Sequence, residues 1–204
     1  RHHQPRHALA KDGDRLAQFD CVIANPPFSL KEWGDEAWSA DRWGRNKIGG
    51  TPPGGYADWA WVQHMVSSMA KPAGRVAVVL PQGALFRGGA EAKIRQAMLD
   101  ADLIEAVIGL GPNLFYGTGL AASVLILRAS KQPQRAGKVL FINGETLYKR
   151  GRNQNTLEPA HATQLLDLYN GFITVDGLAC VVEADELKAH QYNLNIPLYV
   201  DAVA

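Results

Sequence analysis

The chain has 204 residues, 47% of them hydrophobic, and a formal net charge of +1. That length can bury a substantial core as one domain with an appendage, and so small a charge does not mark a nucleic-acid binder by bulk electrostatics. Two cysteines, Cys21 and Cys180, do not amount to a disulfide framework and fit a reducing cytosol. No apolar run approaches the length of about 18 residues that a membrane helix needs, and no signal-peptide pattern opens the chain, so a soluble cytoplasmic protein without a membrane partner is expected.

The opening residues 1–7 are polar and start without a methionine, which reads as the inside of a longer chain. Their histidines, His2, His3 and His7, match no metal-site spacing and no acidic or sulfur ligand completes them, so no metal is expected.

The first informative stretch runs from Phe19 to Phe28, Phe-Asp-Cys-Val-Ile-Ala-Asn-Pro-Pro-Phe. Cys21 to Ala24 are small or β-branched without interruption, as in a parallel strand covered on both faces. Pro26 and Pro27 end the strand and stiffen the backbone beyond it, because a residue before proline is driven out of the helical region. Asn25 therefore falls at a strand's carboxyl end, where open α/β sheets bind ligands. The Asn25 side-chain carbonyl and the Pro26 backbone carbonyl are both acceptors, suited to the two hydrogens of an exocyclic amino group such as adenine N6. Phe28 offers a flat face for a base. The same tripeptide also occurs as an ordinary turn; the strand before it and the ring after it favour the catalytic reading.

Residues 29–56 form a long connection carrying Trp33, Trp38 and Trp43 among Arg42, Arg45 and Lys47. A connection of this length is functional or disordered; a lid or DNA-backbone contact and a plug at the core's edge remain equally open. Asp58 is placed as the cap of a helix reaching about Lys71, with contact to cofactor or substrate as its sharper reading, and Trp59, Val62, Val66 and Met69 form the helix's apolar stripe. His64 on that helix reads as a packing or hydrogen-bonding residue, not a catalyst. Next come a buried strand over Arg75–Leu80 stopped by Pro81, a helix over Ala90–Ala101, and strands over Leu103–Leu110 and Ala121–Leu127. Strand, helix, strand, helix, strand is a parallel-sheet rhythm, and the final pair, joined only by a loop, is antiparallel. Gly117 to Ala122 matches G-x-G-x-x-A but runs into a strand instead of a helix, so it is not a dinucleotide fingerprint.

From Arg128 to Arg152 seven basic residues (Arg128, Lys131, Arg135, Lys138, Lys149, Arg150, Arg152) meet one acid, Glu145. A solvated face is the plain reading, a phosphate-contacting edge the sharper one. A short strand over Lys138–Asn143, helices over His161–Asn170 and Glu183–His190, and a tail from Tyr192 to Val200 that docks on a surface complete the chain. The organisation expected is residues 1–128 as the carboxyl-terminal half of a catalytic domain and 129–204 as an extension with a docking tail.

Phe19–Phe28, Val79–Gly83, Ala106–Leu110, Asn113–Gly119 and Tyr192–Ile196 stand in the order found in one family. Over nearly its whole length the chain resembles the modification (M) subunits of type I restriction–modification systems, adenine-specific DNA methyltransferases of the bacterial or archaeal cytoplasm. The resemblance implies a partial Rossmann-like, S-adenosylmethionine-dependent methyltransferase fold, an α/β sheet of parallel strands ending in an antiparallel one, with a small α+β extension. It implies that Asn25, Pro26, Pro27 and Phe28 hold a flipped-out adenine, that Phe115 packs on the base's opposite face, and that S-adenosylmethionine donates the methyl group. Its partners would be double-stranded DNA, a specificity (S) subunit, a second M subunit and, in the larger complex, a restriction (R) subunit. The family's glycine-rich cofactor loop and acidic residue, which come after its N-terminal helical domain, are not found in this sequence. Asp14 is the candidate for a later acidic contact to the cofactor's adenine. The chain is accordingly expected to be the carboxyl-terminal part of the enzyme and inactive alone. Two other readings stay open: a same-fold methyltransferase acting on protein glutamine or RNA, and a non-catalytic fragment that docks a partner.

Overall fold

Six strands form one mixed sheet in a computed structural model that describes residues 11–201; the early histidines lie outside the described residues. Ahead of the sheet, β1 (Lys11–Asp12) and β2 (Arg15–Leu16) make a two-stranded turn, and the short helix α1 (Asp35–Ser39) lies in the 29–56 connection. The sheet comprises β3 (Cys21–Ala24), β4 (Arg75–Pro81), β5 (Ile104–Leu110), β6 (Ala122–Arg128), β7 (Lys138–Gly144) and β8 (Ala179–Glu183). Their spatial order is β3-β4-β6-β5-β7-β8. β3 runs parallel to β4 and β5 parallel to β7, whereas β6 is antiparallel to both of its neighbours and β8 to β7.

This order arises from the connections. The helix α3 (Ala90–Asp100) is a crossover long enough to return β5 in the direction of β4. The loop from 111 to 121 is too short for that, so β6 turns back and fills the slot between them. β5 is buried at all seven positions, as an apolar strand with neighbours on both sides and helices on both faces must be. The strands β7 and β8 continue the same sheet beyond β5.

On one face lie α2 (Asp58–Ser67), α3 and the short α5 (Ala184–Ala189), packed through Trp59, Val62, Met65, Ile94, Met98 and Leu187. On the other lies α4 (Pro159–Gly171), through Leu165. The expected tail docks on the chain's own sheet. Leu194, Ile196 and Val200 are buried, each worth about 1.5–3 kcal/mol, and the Leu194 amide donates to the Leu85 carbonyl at 2.9 Å. Tyr199 stacks on Phe141 with ring centroids 4.2 Å apart. Ile196 reaches the sheet because Gly109 has no side chain: a Cβ there would stand 2.7 Å from the Ile196 Cδ1.

Two expectations need correction. The strand Cys21–Ala24 is not covered on both faces; it is the sheet's edge, with Cys21 exposed and Ile23 74% exposed. Its apolar run specifies a strand, but its neighbours decide its cover. The helix from Asp58 ends at Ser67, and its N-cap is Ala57, without a side-chain cap.

Candidate functional site

The carboxyl ends of β3, β4, β5 and β7 gather at one edge of the sheet with the amino ends of β6 and β8. Asn25 sits at this edge, directly after β3, and is exposed; Pro26 is half-buried and Pro27 exposed. Among the described residues no hydrogen bond occupies the Asn25 side chain or the Pro26 carbonyl. Both acceptors are therefore open to a ligand. Phe28 is half-buried, and its ring meets Phe115 edge-to-face, with centroids 5.7 Å apart and planes at 66°. Two residues separated by most of the sheet's sequence thus converge on one spot. The two rings touch each other directly and are not parallel, so no planar group fits between them in this arrangement.

What fixes the corner is a charge network that begins just after it. Ser29 takes a left-handed backbone conformation, φ 49°, and its amide donates to Asp58 Oδ1 at 2.7 Å. Asp58 is 1% exposed and is gripped by Arg87, which also donates to both oxygens of Glu91 at 2.6 and 2.9 Å. The Arg87 guanidinium lies over the Tyr56 ring at 4.0 Å. Burial alone would lower the Arg87 pKa, but the Glu91 and Asp58 carboxylates outweigh it and hold it above its ordinary value. Burial raises the Glu91 carboxyl, against the pull of Arg87. Buried Arg95 is pushed down to about 10 by desolvation, opposed by Glu91. Its guanidinium donates to the carbonyls of Ala84, Arg87 and Tyr192, so the tail and the loops that hold the corner after β3 share one frame. Asp58 is thus neither a helix cap nor, in this structure, an open ligand contact. It is the anchor that sets the chain's exit from Phe28.

Arg87, Glu91 and Arg95 were not singled out by sequence reasoning. Their signal was present: Glu91 and Arg95 fall among Ile94 and Met98 on the stripe of α3 that faces the core, where an ionic side chain must have a partner.

The tryptophans of the 29–56 connection form an ordered half-buried nest. Trp38 donates to Gln63 Oε1 at 2.9 Å, Trp33 meets Trp38 edge-on at 5.5 Å, and Arg45 lies over Trp38 at 4.0 Å. Arg45 also faces the His64 Nδ1 at 3.3 Å, and His64 is held below its ordinary pKa by burial and by Arg45, against Asp41. These contacts favour a plug over an open lid.

The basic run divides between the sheet's two edges. Arg128 and Arg135 converge on buried Glu105, Lys131 is buried against Asp102, and Lys138 pairs with Glu183, all at the edge opposite Asn25. Lys149, Arg150 and Arg152 lie beyond the carboxyl end of β7, at the same edge as Asn25.

Asp14 stands in the turn between β1 and β2 with its side chain fully exposed, 3.5 Å from Arg42. With Asp14 in open solvent and Ile23 exposed beside the corner, the described residues do not by themselves enclose a nucleoside-sized cofactor.

The sheet has the fold of S-adenosylmethionine-dependent methyltransferases: it superposes on such a class I enzyme from Listeria monocytogenes with a TM-score of 0.52 at 20% identity, over 76% of this chain and 42% of that one. A closer likeness, TM-score 0.84 at 35% identity, is to the type I restriction–modification methyltransferase subunit of Streptococcus thermophilus, over 91% of this chain and 39% of that one. The family model for N-6 DNA methylases matches residues 2–204, and the chain belongs to that family. It is 38% identical to the type I restriction enzyme MjaVII methylase subunit of Methanocaldococcus jannaschii, over 90% of this chain and 33% of the relative. It is 32% identical to the MpnII methylase subunit of Mycoplasma pneumoniae, over 91% of this chain and 34% of the relative. The chain spans about a third of the length of these relatives. Among the described residues no helix is long and apolar enough to cross a membrane.

Proposed function

We propose that this chain is the adenine-gripping part of a type I modification methyltransferase, which transfers a methyl group from S-adenosylmethionine to N6 of an adenine flipped out of duplex DNA. The observation that carries it is the open corner: Asn25 Oδ1 and the Pro26 carbonyl are without partners among the described residues, beside an aromatic pair and at the edge where such sheets bind ligands. Each acceptor takes one N–H of the amino group, which turns the nitrogen lone pair away from the ring plane. Rigid prolines hold that geometry, so the chain's contribution is positioning. Phe28 supports the base, and Phe115 swings from its edge-on contact to cover the second face, offsetting the few kcal/mol that unstacking costs.

The methyl donor would be held largely by parts of the longer protein beyond the described residues, with Asp14 a peripheral contact at most. Residues 1–128 would be catalytic, and 129–204 would frame the sheet and dock partners: a specificity subunit, a second modification subunit and a restriction subunit in a cytoplasmic complex. The relatives' names as restriction-enzyme methylase subunits support this assembly. The test is label transfer from methyl-tritiated S-adenosylmethionine by the complete protein, offered an adenine-containing duplex, an RNA of the same sequence and a glutamine peptide. Label in N6-methyladenine of the DNA is expected; label in the RNA or peptide with none in the DNA would overturn the reading.

A further inference from the structure

The loop after β7 is built more firmly than a solvated charge run requires. Lys149 and Thr156 exchange backbone hydrogen bonds of 2.8 and 2.9 Å, closing the segment between them. Inside it the chain turns at Gly151, where a Cβ would collide with the Gln154 carbonyl at 1.9 Å. The Asn155 side chain accepts from the Gly151 amide at 3.3 Å and donates to the Pro112 carbonyl at 2.9 Å. Gln154 donates to the Leu114 carbonyl at 2.9 Å, Asn113 to the Asn153 carbonyl at 3.2 Å, and the Asn155 amide to the Asn113 carbonyl at 2.9 Å. This loop and the one that carries Phe115 are therefore a single unit. Between them lies an open concavity of about 350 Å³, lined by Asn113, Phe115, Tyr116, Thr118, Asn153 and Gln154.

The fixed turn displays cations. Lys149 is paired with Glu158 at 3.0 Å, but Arg150 and Arg152 are exposed and have no acidic partner among the described residues. Tyr116, which lines the concavity between the two loops, is 94% exposed. Elsewhere in the same basic run arginines find carboxylates, so two left free on a rigid turn bonded to the loop that carries Phe115 call for an anion from outside. We infer that Arg150 and Arg152 bind phosphates of the DNA backbone next to the extruded nucleotide, seating the strand against the loop that positions Phe115. This assignment rests on the DNA reading above and adds the residues that hold the strand. Guanidiniums suit phosphate because their planar fork donates two hydrogen bonds at once, and each phosphate neutralised contributes about 0.9 to the slope of log K against log salt.

The experiment measures binding of a fluorescein-labelled adenine-containing duplex by the complete protein across a potassium chloride series. Arg150→Ala/Arg152→Ala is expected to lower the slope by about 2, and Arg150→Lys/Arg152→Lys to restore most of it. Lys138→Ala, at the opposite edge and paired with Glu183, is expected to leave the slope as it was. An unchanged slope in the double alanine variant would overturn the assignment, as would an equal loss in Lys138→Ala. If the arginine variants lose slope while the wild-type protein fails to methylate DNA, the methyltransferase reading falls and the clamp stands. Methylation with an unaffected slope removes the clamp alone.

Discussion

The two edges of the sheet use similar side chains to opposite ends. At the edge formed by the carboxyl end of β6 and the amino ends of β5 and β7, Arg128 and Arg135 surround Glu105, Tyr169 donates to the same carboxylate, and Lys131 is buried on Asp102. Every cation named there has an anion, and the product is stability. At the edge around Asn25 polar groups are left over: two carbonyl acceptors without donors at the corner and, on the loop bonded to that of Phe115, two arginines without acids among the described residues. Spare hydrogen-bonding capacity is what a binding site costs the fold, and it is tolerated here because it faces solvent instead of core. Asp58 is the exception that joins the two regimes, since it is as buried and paired as Glu105 yet serves the open edge by holding Ser29.

The comparison breaks first at Asp58. Asp58→Ala releases the Ser29 amide and leaves Arg87 with one acid, so it is expected to cost about 3 kcal/mol of stability and, in the complete protein, about 10²-fold in methyl transfer through misplacement of the corner. Denaturant melts and initial rates read the two effects separately. Glu105→Gln should reproduce the stability loss without the catalytic one: about 3 kcal/mol, or roughly 6–12 °C in Tm, with methylation at permissive temperature within a factor of about two of wild type. Equal activity losses in both variants would show that the edges are not separate in function. Phe115→Ala removes one ring from the base and should cost about 1–3 kcal/mol in kcat/KM for DNA while leaving the melting curve nearly in place. The smallest effect lies between the edges, at His64. Its folded-state pKa is below 6.5, because burial and Arg45 disfavour the charged ring. The unfolded chain therefore takes up the proton first as pH falls, and stability should decline below about pH 6.5. In His64→Gln this decline should be weaker, as pH-dependent Tm values would record.

How much of this the sequence carried depends on whether local pattern or tertiary neighbours decide the feature. The strands β4, β5 and β6 and the helix α3 were legible because unbroken apolar runs and a helical stripe specify them locally. The corner at Asn25 was legible because two prolines after a strand fix its geometry. The exposure of β3 was not, since an edge strand and a central one share the same residues until the sheet order is known. Nor was the role of Asp58: an aspartate opening a helix reads as a cap, and only the fold brings Ser29 and Arg87 to it from 29 residues on either side. The division of the basic run had the same origin, because the acids that neutralise Arg128, Lys131 and Arg135 come from around the start of β5.

The central claim is that open oxygen acceptors at Asn25 and Pro26 grip the amino group being methylated. Its most direct measurement is methyl transfer and DNA binding, side by side, for the complete protein with Asn25, Asn25→Asp and Asn25→Ala. The account predicts that alanine loses at least about 10²-fold in transfer, that aspartate, which keeps an acceptor in place, retains part of it, and that all three bind DNA alike. Undiminished N6-methyladenine from the alanine variant would contradict it.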